Sequence, residues 1–392
     1  MSTTGRRVTP TTESSHSTRQ ANRGPRVSVL IPTYKDANLL RQSLPVFLEH
    51  SPDDVEIVVV NNDPSQDVRA AVGSHGEDSR VRLVEMGWEA GFARAVNRGI
   101  RETSGEFVML CNADLFPAPT YLAEILEFFE AHPAAGAAIG KLLRYDLETD
   151  RPTDVIDSAG LVLSRQRRFM PRGEGERDVG QFDEAVEVFG VDGAAPVIRR
   201  SALEQISVGG EYLDENFFAH KEDHDISWRL HLAGWECWYV PTAVAYHGRT
   251  TRGLGSSGYL SAIRRFHQNE LEKSQPVRVN AMKNQWLMIL KNEDGFNFIR
   301  DFPFIFAREA MVATHRLFFA PKTLVAIPMT IKLLPETLRK RRAAKGNQKM
   351  NPRALRSWLD GGNQPQGKRG RELGSAGTAA FPTHDDRHPG AG

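Results

Sequence analysis

The sequence has little cysteine, and this limits the classes of protein that fit it. Cys111 and Cys237 are the two cysteines among 392 residues. Two thiols this far apart do not suggest a framework of several disulfides, as in small secreted domains, or a four-thiolate zinc site. We therefore expect a reducing, cytoplasmic setting.

Long apolar runs are missing as well. No stretch of about eighteen consecutive apolar residues occurs, which argues against a membrane-spanning helix. Residues 1–25 are rich in Ser, Thr and Arg and lack the apolar segment of a secretory signal, so we expect a disordered leader. Residues 346–392 are rich in Gly, Pro and charge, and we expect a mostly disordered tail with one short helix near 352–359.

Neither sign of charge is in excess, and two glycine motifs are absent. The 50 Lys and Arg against 49 Asp and Glu give a formal net charge of +1, so we expect no nucleic-acid partner.

The turn after the first apolar run reads PTYKDANLL, which excludes a glycine-rich dinucleotide fingerprint there, and no Walker loop occurs. A bound phosphate would need another device, and a divalent metal on an acidic loop is the natural one.

The pattern that is present is an alternation of strands and helices. Runs rich in Val, Ile and Leu cover Arg26–Tyr34, Asp54–Asp63, Arg80–Met86 and Glu106–Asp114. Such continuous runs are typical of strands covered on both faces, and helical segments fit between them. We therefore predict an α/β fold with a mostly parallel sheet flanked by helices.

The loops at the carboxyl ends of these strands are predicted to form one ligand crevice. PTYKD, NNDP and CNAD all fall on that rim, which places Asp114 just beyond a strand end. The alternative is that Asn112 and Asp114 only form a turn before Pro117.

A second block holds a cluster of acids. Asp214, Glu215, Glu222, Asp223 and Asp225 precede or begin a predicted helix that Gly234 ends. A solvated, capped helix start would explain Asp225. It explains the whole cluster poorly, because so many carboxylates repel one another unless a cation, a proton or a polar substrate lies nearby.

Seven ordered motifs between Val27 and Arg249 carry a resemblance to a known family. They are VSVLIPTYKD, EIVVVNNDPSQD, GFARAVNRGI, CNADLF, GAAPVIRRSAL, YLDENFFAHKEDHDISWRLHLAGW and YVPTAVAYHG. In this order and spacing they resemble the family 2 inverting glycosyltransferases of the GT-A fold, most closely the rhamnosyltransferase-like branch. The resemblance implies a catalytic domain over residues 26–258.

The resemblance also implies the donor-binding residues. Its candidates for nucleotide and sugar contacts are Pro32, Thr33, Tyr34, Asp36, Asn62, Gly91, Phe92, Asn112, Asp192 and Gly193. Gly91 and Phe92 would open a helix whose N-terminal amides face the diphosphate. Close packing is the alternative role of Gly193.

The implied metal site and catalytic base come from two motifs. Asn112 to Asp114 replaces the D-x-D motif of the family, so Asp114 and His247 would bind Mn²⁺ or Mg²⁺. A lone histidine at a strand end is more often structural. Glu222 and Asp223 match the E-D pair of the family, in which the second acid takes the proton from the attacking hydroxyl.

Residues 259–345 have a different composition and are predicted to be helical. Their apolar segments end in a basic cluster at residues 339–342. One interpretation is peripheral association with the anionic inner face of the cell membrane. The other is packing on the catalytic domain or on a second subunit.

We therefore expect a metal-dependent glycosyltransferase that moves a sugar from a nucleotide diphosphate donor to a glycan or lipid-linked acceptor in cell-envelope polysaccharide synthesis. For the donor, dTDP-rhamnose and UDP-galactose are the candidates that the resemblance suggests. A non-catalytic nucleotide-sugar binder or membrane scaffold and a sugar-phosphate nucleotidyltransferase are the alternatives. The nucleotidyltransferase would show a glycine-rich loop where this chain has PTYKD. The sequence assigns no oligomeric state.

Overall fold

The structure is a computed structural model that describes residues 24–248, 259–351 and 354–361. The predicted leader, apart from its last two residues, and the tail beyond residue 361 lie outside the described residues.

Twelve strands lie within the described part of the chain. They are β1 Val27–Thr33, β2 Val55–Asn61, β3 Val81–Glu85, β4 Phe107–Leu110, β5 Leu115–Pro117, β6 Ala135–Asp146, β7 Arg151–Ser158, β8 Leu161–Leu163, β9 Phe169–Pro171, β10 Val186–Val188, β11 Val197–Arg199 and β12 Glu236–His247.

Eleven α-helices occur in the same residues. They are α1 Ala37–His50, α2 Val68–Val72, α3 Phe92–Arg101, α4 Tyr121–Ala131, α5 Arg200–Ile206, α6 Glu222–Leu232, α7 Tyr259–Glu272, α8 Gln275–Asn292, α9 Gly295–Phe319, α10 Ala326–Gly346 and α11 Leu355–Leu359.

The main sheet begins with the parallel strands that the apolar runs predicted. Its order is β10-β12-β6-β11-β4-β1-β2-β3, and β5 and β7 pair outside this path with β12 and β6. Strands β3, β2, β1 and β4 are parallel to one another, whereas β11 is antiparallel to both β4 and β6. All seven residues of β1 are buried, as expected for a strand covered on both faces. The predicted α/β fold is confirmed.

One short strand pairing brings distant residues together. Strand β5 runs antiparallel to β12, and this register places His247 opposite Leu115. The last residue of β12 therefore lies beside the residue that follows Asp114. A separation of more than a hundred residues along the chain becomes a direct contact at one edge of the sheet.

The C-terminal helices pack on the sheet domain through a shared core. Phe189, Phe217 and Trp228 belong to one buried apolar cluster with Leu287 of α8 and Trp358 of α11. Helix α8 also packs against α10. None of the helices that the structure describes is both long enough and apolar enough to cross a membrane.

Candidate active site

The edge of the sheet formed by β5 and β12 carries an aspartate and a histidine in contact. His247 Nε2 lies 3.2 Å from Asp114 Oδ1 and 3.2 Å from Asn112 Nδ2. On the other side of the ring, His247 Nδ1 lies 2.8 Å from Asp157 Oδ2. Asp157, on β7, is fully buried. A carboxylate on one ring nitrogen fixes the ring so that the other nitrogen faces Asp114.

The electrostatics of this edge favour a positive charge. Burial lowers the pKa of His247, but hydrogen bonds to Asp114 and Asp157 and their negative charges outweigh burial and raise the pKa to about 10. The same surroundings would favour a divalent cation on Nε2 and Oδ1. One imidazole nitrogen and one carboxylate oxygen suit Mn²⁺ or Mg²⁺, which also take oxygen ligands from substrate phosphates. No set of three or more His, Cys, Asp or Glu residues among the described residues forms a metal site.

Asp223 lies in the first turn of α6 and accepts two backbone hydrogen bonds. Its Oδ1 accepts from His224 N at 2.8 Å, and its Oδ2 accepts from Gly193 N at 3.1 Å. A Cβ at position 193 would lie 3.3 Å from Asp223 Cβ. The predicted close packing of this glycine is therefore real, and it is packing against the candidate base.

The loop before β11 forms hydrogen bonds both to Asp223 and to Asn112, which lies near Asp114 and His247. Gly193 donates to Asp223, and the next residue, Ala194, accepts from Asn112 N at 3.1 Å. Asp192 Oδ1 accepts from Ala194 N at 3.1 Å and so fixes the loop. Residues 192–194 thus connect the candidate base with Asn112, whose side chain lies 3.2 Å from His247 Nε2.

The acid cluster divides into paired and unpaired carboxylates. Asp214 and Asp225 are both within hydrogen-bond distance of Lys291 Nζ, at 2.5 and 3.0 Å, and both are almost fully buried. A solvated helix start is therefore wrong for Asp225, since it is buried and is neutralised by Lys291 of α8 and by Arg229 of its own helix. Glu222, 6 % exposed, has one carboxylate oxygen without a hydrogen-bond partner among the described residues.

Burial controls the protonation of the remaining pair. It raises the pKa of Glu222 to about 8, and the charges of Asp223 and Asp225 add to the effect. Burial also raises the pKa of Asp223, although the hydrogen bonds from His224 and Gly193 oppose it. A raised pKa makes a carboxylate a stronger proton acceptor, which suits a general base.

The loop that leads into Glu222 has a strained backbone. Phe218, His220 and Lys221 have positive φ values of 66°, 77° and 75°. This conformation is costly for residues with a Cβ and persists only when the surroundings enforce it.

Asn284 of α8 supplies that enforcement. Its carboxamide nitrogen donates to the backbone oxygens of Phe217, Ala219 and His220 at 3.0, 2.9 and 2.7 Å. The adjacent Lys283 donates to Asn216 O at 2.6 Å. Sequence reasoning missed Asn284, because a polar residue in a helix carries no local signal of a partner that lies more than sixty residues away.

The start of α3 also holds this loop. Gly91 has a φ of 87°, and a Cβ there would lie 2.6 Å from the ring of Phe218. The Ala93 amide donates to Phe218 O at 3.2 Å. The Ala93 amide therefore already has a hydrogen-bond acceptor, and the start of α3 positions the loop that leads into Glu222. A diphosphate contact by Gly91 and Phe92 stays a prediction.

The other donor-binding candidates lie at the ends of β1 and β2. Pro32 and Thr33 are buried, whereas Tyr34 is 40 % exposed. Asp36 accepts from Tyr34 N at 2.8 Å, and burial raises its pKa to about 6 with a contribution from Asp114. Asn62 Oδ1 accepts from Ala90 N at 2.8 Å and so fixes the approach to Gly91.

The fold and this rim define a class of protein. The structure is similar to the crystal structure of GalNAc-T7 with UDP, GalNAc and Mn²⁺, with a TM-score of 0.51, 12 % identity and coverage of 69 % of this chain and 48 % of that one. This likeness concerns the fold, which is of the GT-A type. Residues 28–207 match the family described as Glycosyl transferase family 2. The chain therefore carries a family 2 glycosyltransferase domain.

Two curated relatives are similar over this domain. A poly-beta-1,6-N-acetyl-D-glucosamine synthase of Staphylococcus epidermidis is 24 % identical over 224 residues, which are 56 % of this chain and 49 % of the relative. An N-acetylglucosaminyl-diphospho-decaprenol L-rhamnosyltransferase of Mycobacterium tuberculosis is 31 % identical over 212 residues, which are 46 % of this chain and 64 % of the relative. This chain thus spans about half to two thirds of the length of these relatives.

Proposed function

We propose that the protein is an inverting glycosyltransferase that moves a sugar from a nucleotide diphosphate donor to a hydroxyl of a glycan or lipid-linked glycan. The synthesis of cell-envelope polysaccharide is the proposed setting. The observation that carries the proposal is the loop at residues 192–194, which connects Asp223 with Asn112 beside Asp114 and His247.

Asp223 acts as the general base in this proposal. A sugar hydroxyl is a poor nucleophile, so a carboxylate within hydrogen-bond reach takes its proton as the new bond to the anomeric carbon forms. The hydrogen bonds from Gly193 and His224 hold the carboxylate in place. Attack from the face opposite the departing nucleoside diphosphate inverts the anomeric centre. Glu222 stays buried beside the base.

Asp114 and His247 would hold a divalent cation, Mn²⁺ or Mg²⁺, and Asp157 orients the imidazole. When bound, the cation neutralises the negative charge that develops on the departing diphosphate. Asn112, within hydrogen-bond distance of His247 Nε2, completes this edge.

The nucleotide is proposed to lie over the ends of β1 and β2. The exposed ring of Tyr34 offers a stacking surface for the base, and Pro32, Thr33, Asp36 and Asn62 lie in the same pair of loops. Gly91 and Phe92 lie on the diphosphate side in this proposal, and Asp192 and Gly193 lie under the donor sugar.

Rhamnose is the donor sugar that we propose to test first. The support is the relative of Mycobacterium tuberculosis, whose name gives an L-rhamnosyl donor group and a diphospho-decaprenol acceptor. UDP-galactose is the second donor to test.

The experiment combines donor binding with turnover. Thermal-shift screening of nucleotide diphosphate sugars is carried out with and without Mn²⁺, because a specific ligand stabilises the fold in proportion to its affinity. The donor that stabilises is then tested for hydrolysis and transfer. Stabilisation with Mn²⁺-dependent turnover supports the enzyme. Stabilisation without any turnover would instead indicate a nucleotide-sugar binder.

A further inference from the structure

Helix α9 is amphipathic in the opposite sense to a helix on the surface of a soluble domain. Its buried positions are Asn297, Asp301, Ile305, Val312 and Arg316, which recur at the spacing of one helical face. Three of these five residues are polar or charged. In a water-exposed helix the apolar side chains would occupy this face and the polar ones would face solvent.

The two charged residues of the buried face form ion pairs with other parts of the protein. Asp301 accepts from Arg167 at 2.9 Å and from Arg356 at 2.7 Å. Arg316 donates to Glu270 at 3.0 Å. These buried ion pairs fix the rotation of α9 about its axis. Its apolar side is consequently held outward.

Exposed apolar side chains lie on α9 and also on α10, which follows it in the chain. We define the outer face by Ile299, Phe302, Phe306, Phe318, Ile327 and Ile331, all of which are exposed. Ile299 is 76 % exposed and Phe318 is 73 % exposed. Large apolar side chains exposed in this number within two successive helices indicate a binding surface on a folded protein.

The exposed charges of the segment that contains α9 and α10 have a single sign. Within residues 295–346, all of which the structure describes, the exposed charged residues are Arg300, Lys322, Lys332, Arg339, Arg342 and Lys345. The acids of the same segment, Asp301, Glu309 and Glu336, are buried or half-buried. The segment therefore presents apolar and cationic groups together.

We propose that the outer face binds the interface of an anionic lipid bilayer, as the cytoplasmic leaflet provides. Apolar side chains enter the boundary between headgroups and acyl chains, and the surrounding Lys and Arg side chains contact anionic headgroups. A second copy of the chain fits less well, because a symmetric contact would bring the two sets of basic residues together.

Helix α9 also interacts with the loop that leads to the proposed base. Lys221, which precedes Glu222 and Asp223, interacts electrostatically with Arg308 and Glu309 of α9. An enzyme bound in this way would meet an acceptor presented at the bilayer surface. This last point rests on the proposed function, whereas binding to the bilayer does not.

The test is co-sedimentation of the full chain with lipid vesicles. One set contains phosphatidylcholine and phosphatidylglycerol in equal parts, and the other contains phosphatidylcholine alone. The apolar variant combines Ile299→Ser, Phe306→Ser and Phe318→Ser, and the charge variant combines Lys322→Gln with Lys332→Gln. Val179→Ser, at a position that is 78 % exposed in the catalytic domain, is the control.

We expect the wild type to bind the anionic vesicles. The apolar variant should bind them at least about tenfold more weakly, because three large side chains no longer enter the lipid. The charge variant should also bind more weakly than the wild type, by a factor of up to about ten. Added salt should remove this difference between the charge variant and the wild type. The control should bind like the wild type, and circular dichroism should show that all variants are folded.

Three results would overturn the proposal. They are a wild type that stays in solution with anionic vesicles, an apolar variant that binds as well as the wild type, and a dimer in analytical ultracentrifugation that the apolar variant dissociates without a change in vesicle binding. Thermal-shift measurements with donors keep the two proposals separate. Vesicle binding without a thermal shift by any donor would support the proposed membrane-binding surface and contradict the proposed glycosyltransferase activity.

Discussion

The backbone nitrogen of Gly193 donates to Asp223 Oδ2 at 3.1 Å, and no side chain at position 193 separates the two. This bond fixes the proposed base against the loop that also accepts a hydrogen bond from Asn112. The position of the base relative to the proposed metal edge therefore depends on three consecutive residues, 192–194.

Asp157→Asn should weaken Mn²⁺ binding about 10- to 100-fold, because the partner of a metal-binding histidine fixes the ring and increases its basicity. Asp157 is fully buried against His247. Isothermal titration of the full chain with Mn²⁺ measures the effect without any turnover. Asp154→Asn is the control, since Asp154 lies on the same strand and forms an exposed ion pair with Arg177. Equal affinities for Mn²⁺ in the two variants would contradict the proposed role of Asp157 in orienting His247.

Asn284→Asp should lower kcat while the dissociation constant of the donor stays nearly the same. An ionised carboxylate has the shape of the amide but cannot donate to the three backbone oxygens of the loop at residues 217–220. Asn284→Ala should cost about 1 to 3 kcal/mol of unfolding free energy, because buried acceptors lose their donor.

The control for Asn284 is Asn347→Ala. Asn347 also donates to a backbone oxygen, that of Gln205, but at an exposed position. A role of Asn284 in stability alone would lower the melting temperature and leave kcat unchanged at a temperature where the variant is folded. That outcome would contradict its assignment as a residue that positions the base.

Lys291→Ala should destabilise the fold by up to about 3 to 5 kcal/mol, because it removes one of the two cations that each of two buried carboxylates contacts. Lys291 Nζ contacts Asp214 and Asp225, and all three side chains are at most 3 % exposed. Urea unfolding measures the change. Lys273→Ala removes a lysine whose side chain is 40 % exposed and which pairs with Glu270, and it should cost less than about 1 kcal/mol. Similar losses in both variants would refute a special role of the buried cation.

Glu222→Gln should change the pH dependence of stability. The pKa of Glu222 is raised from 4.5 to about 8, so the folded state holds the proton more tightly than the unfolded state. The stability from this group is complete below about pH 4.5 and is lost as the pH rises through about 8. The variant, which stays neutral, should therefore be more stable than the wild type above about pH 8, on the order of a few kcal/mol.

Melting curves at about pH 5 and about pH 9 decide this prediction, because the gain of the variant should appear mainly at the higher pH. Glu127→Gln, at an exposed position of α4, serves as the control. If Glu222→Gln and its control shift the melting temperature by the same amount at both pH values, the buried carboxyl is not protonated in the folded state.

The sequence predicted those features whose cause is local. Continuous Val, Ile and Leu runs gave the parallel strands, and the polar residues after them marked the rim where Tyr34 and Asp114 lie. His247 was placed at the end of a strand, as it is in the structure. The motifs that resemble the family brought Asp114, His247 and Asp223 forward as candidates.

Features that depend on contacts between distant segments could not be predicted. Asp157 meets His247 across 90 residues, and Lys291 neutralises Asp225 across 66 residues. One sequence contains no signal for such pairs. The orientation of α9 is a similar case. Its apolar residues predict an amphipathic helix, but they do not predict that the ion pairs of Asp301 bury the polar face.

The most direct test of the proposed mechanism is the Asp223→Asn variant, measured for transfer and for donor binding with Mn²⁺. We predict that the transfer rate falls by about 10²- to 10⁴-fold, because the proton acceptor is lost, while the donor-induced thermal shift is retained. Near-normal turnover by this variant would contradict the assignment of Asp223 as the base, and with it the proposed mechanism.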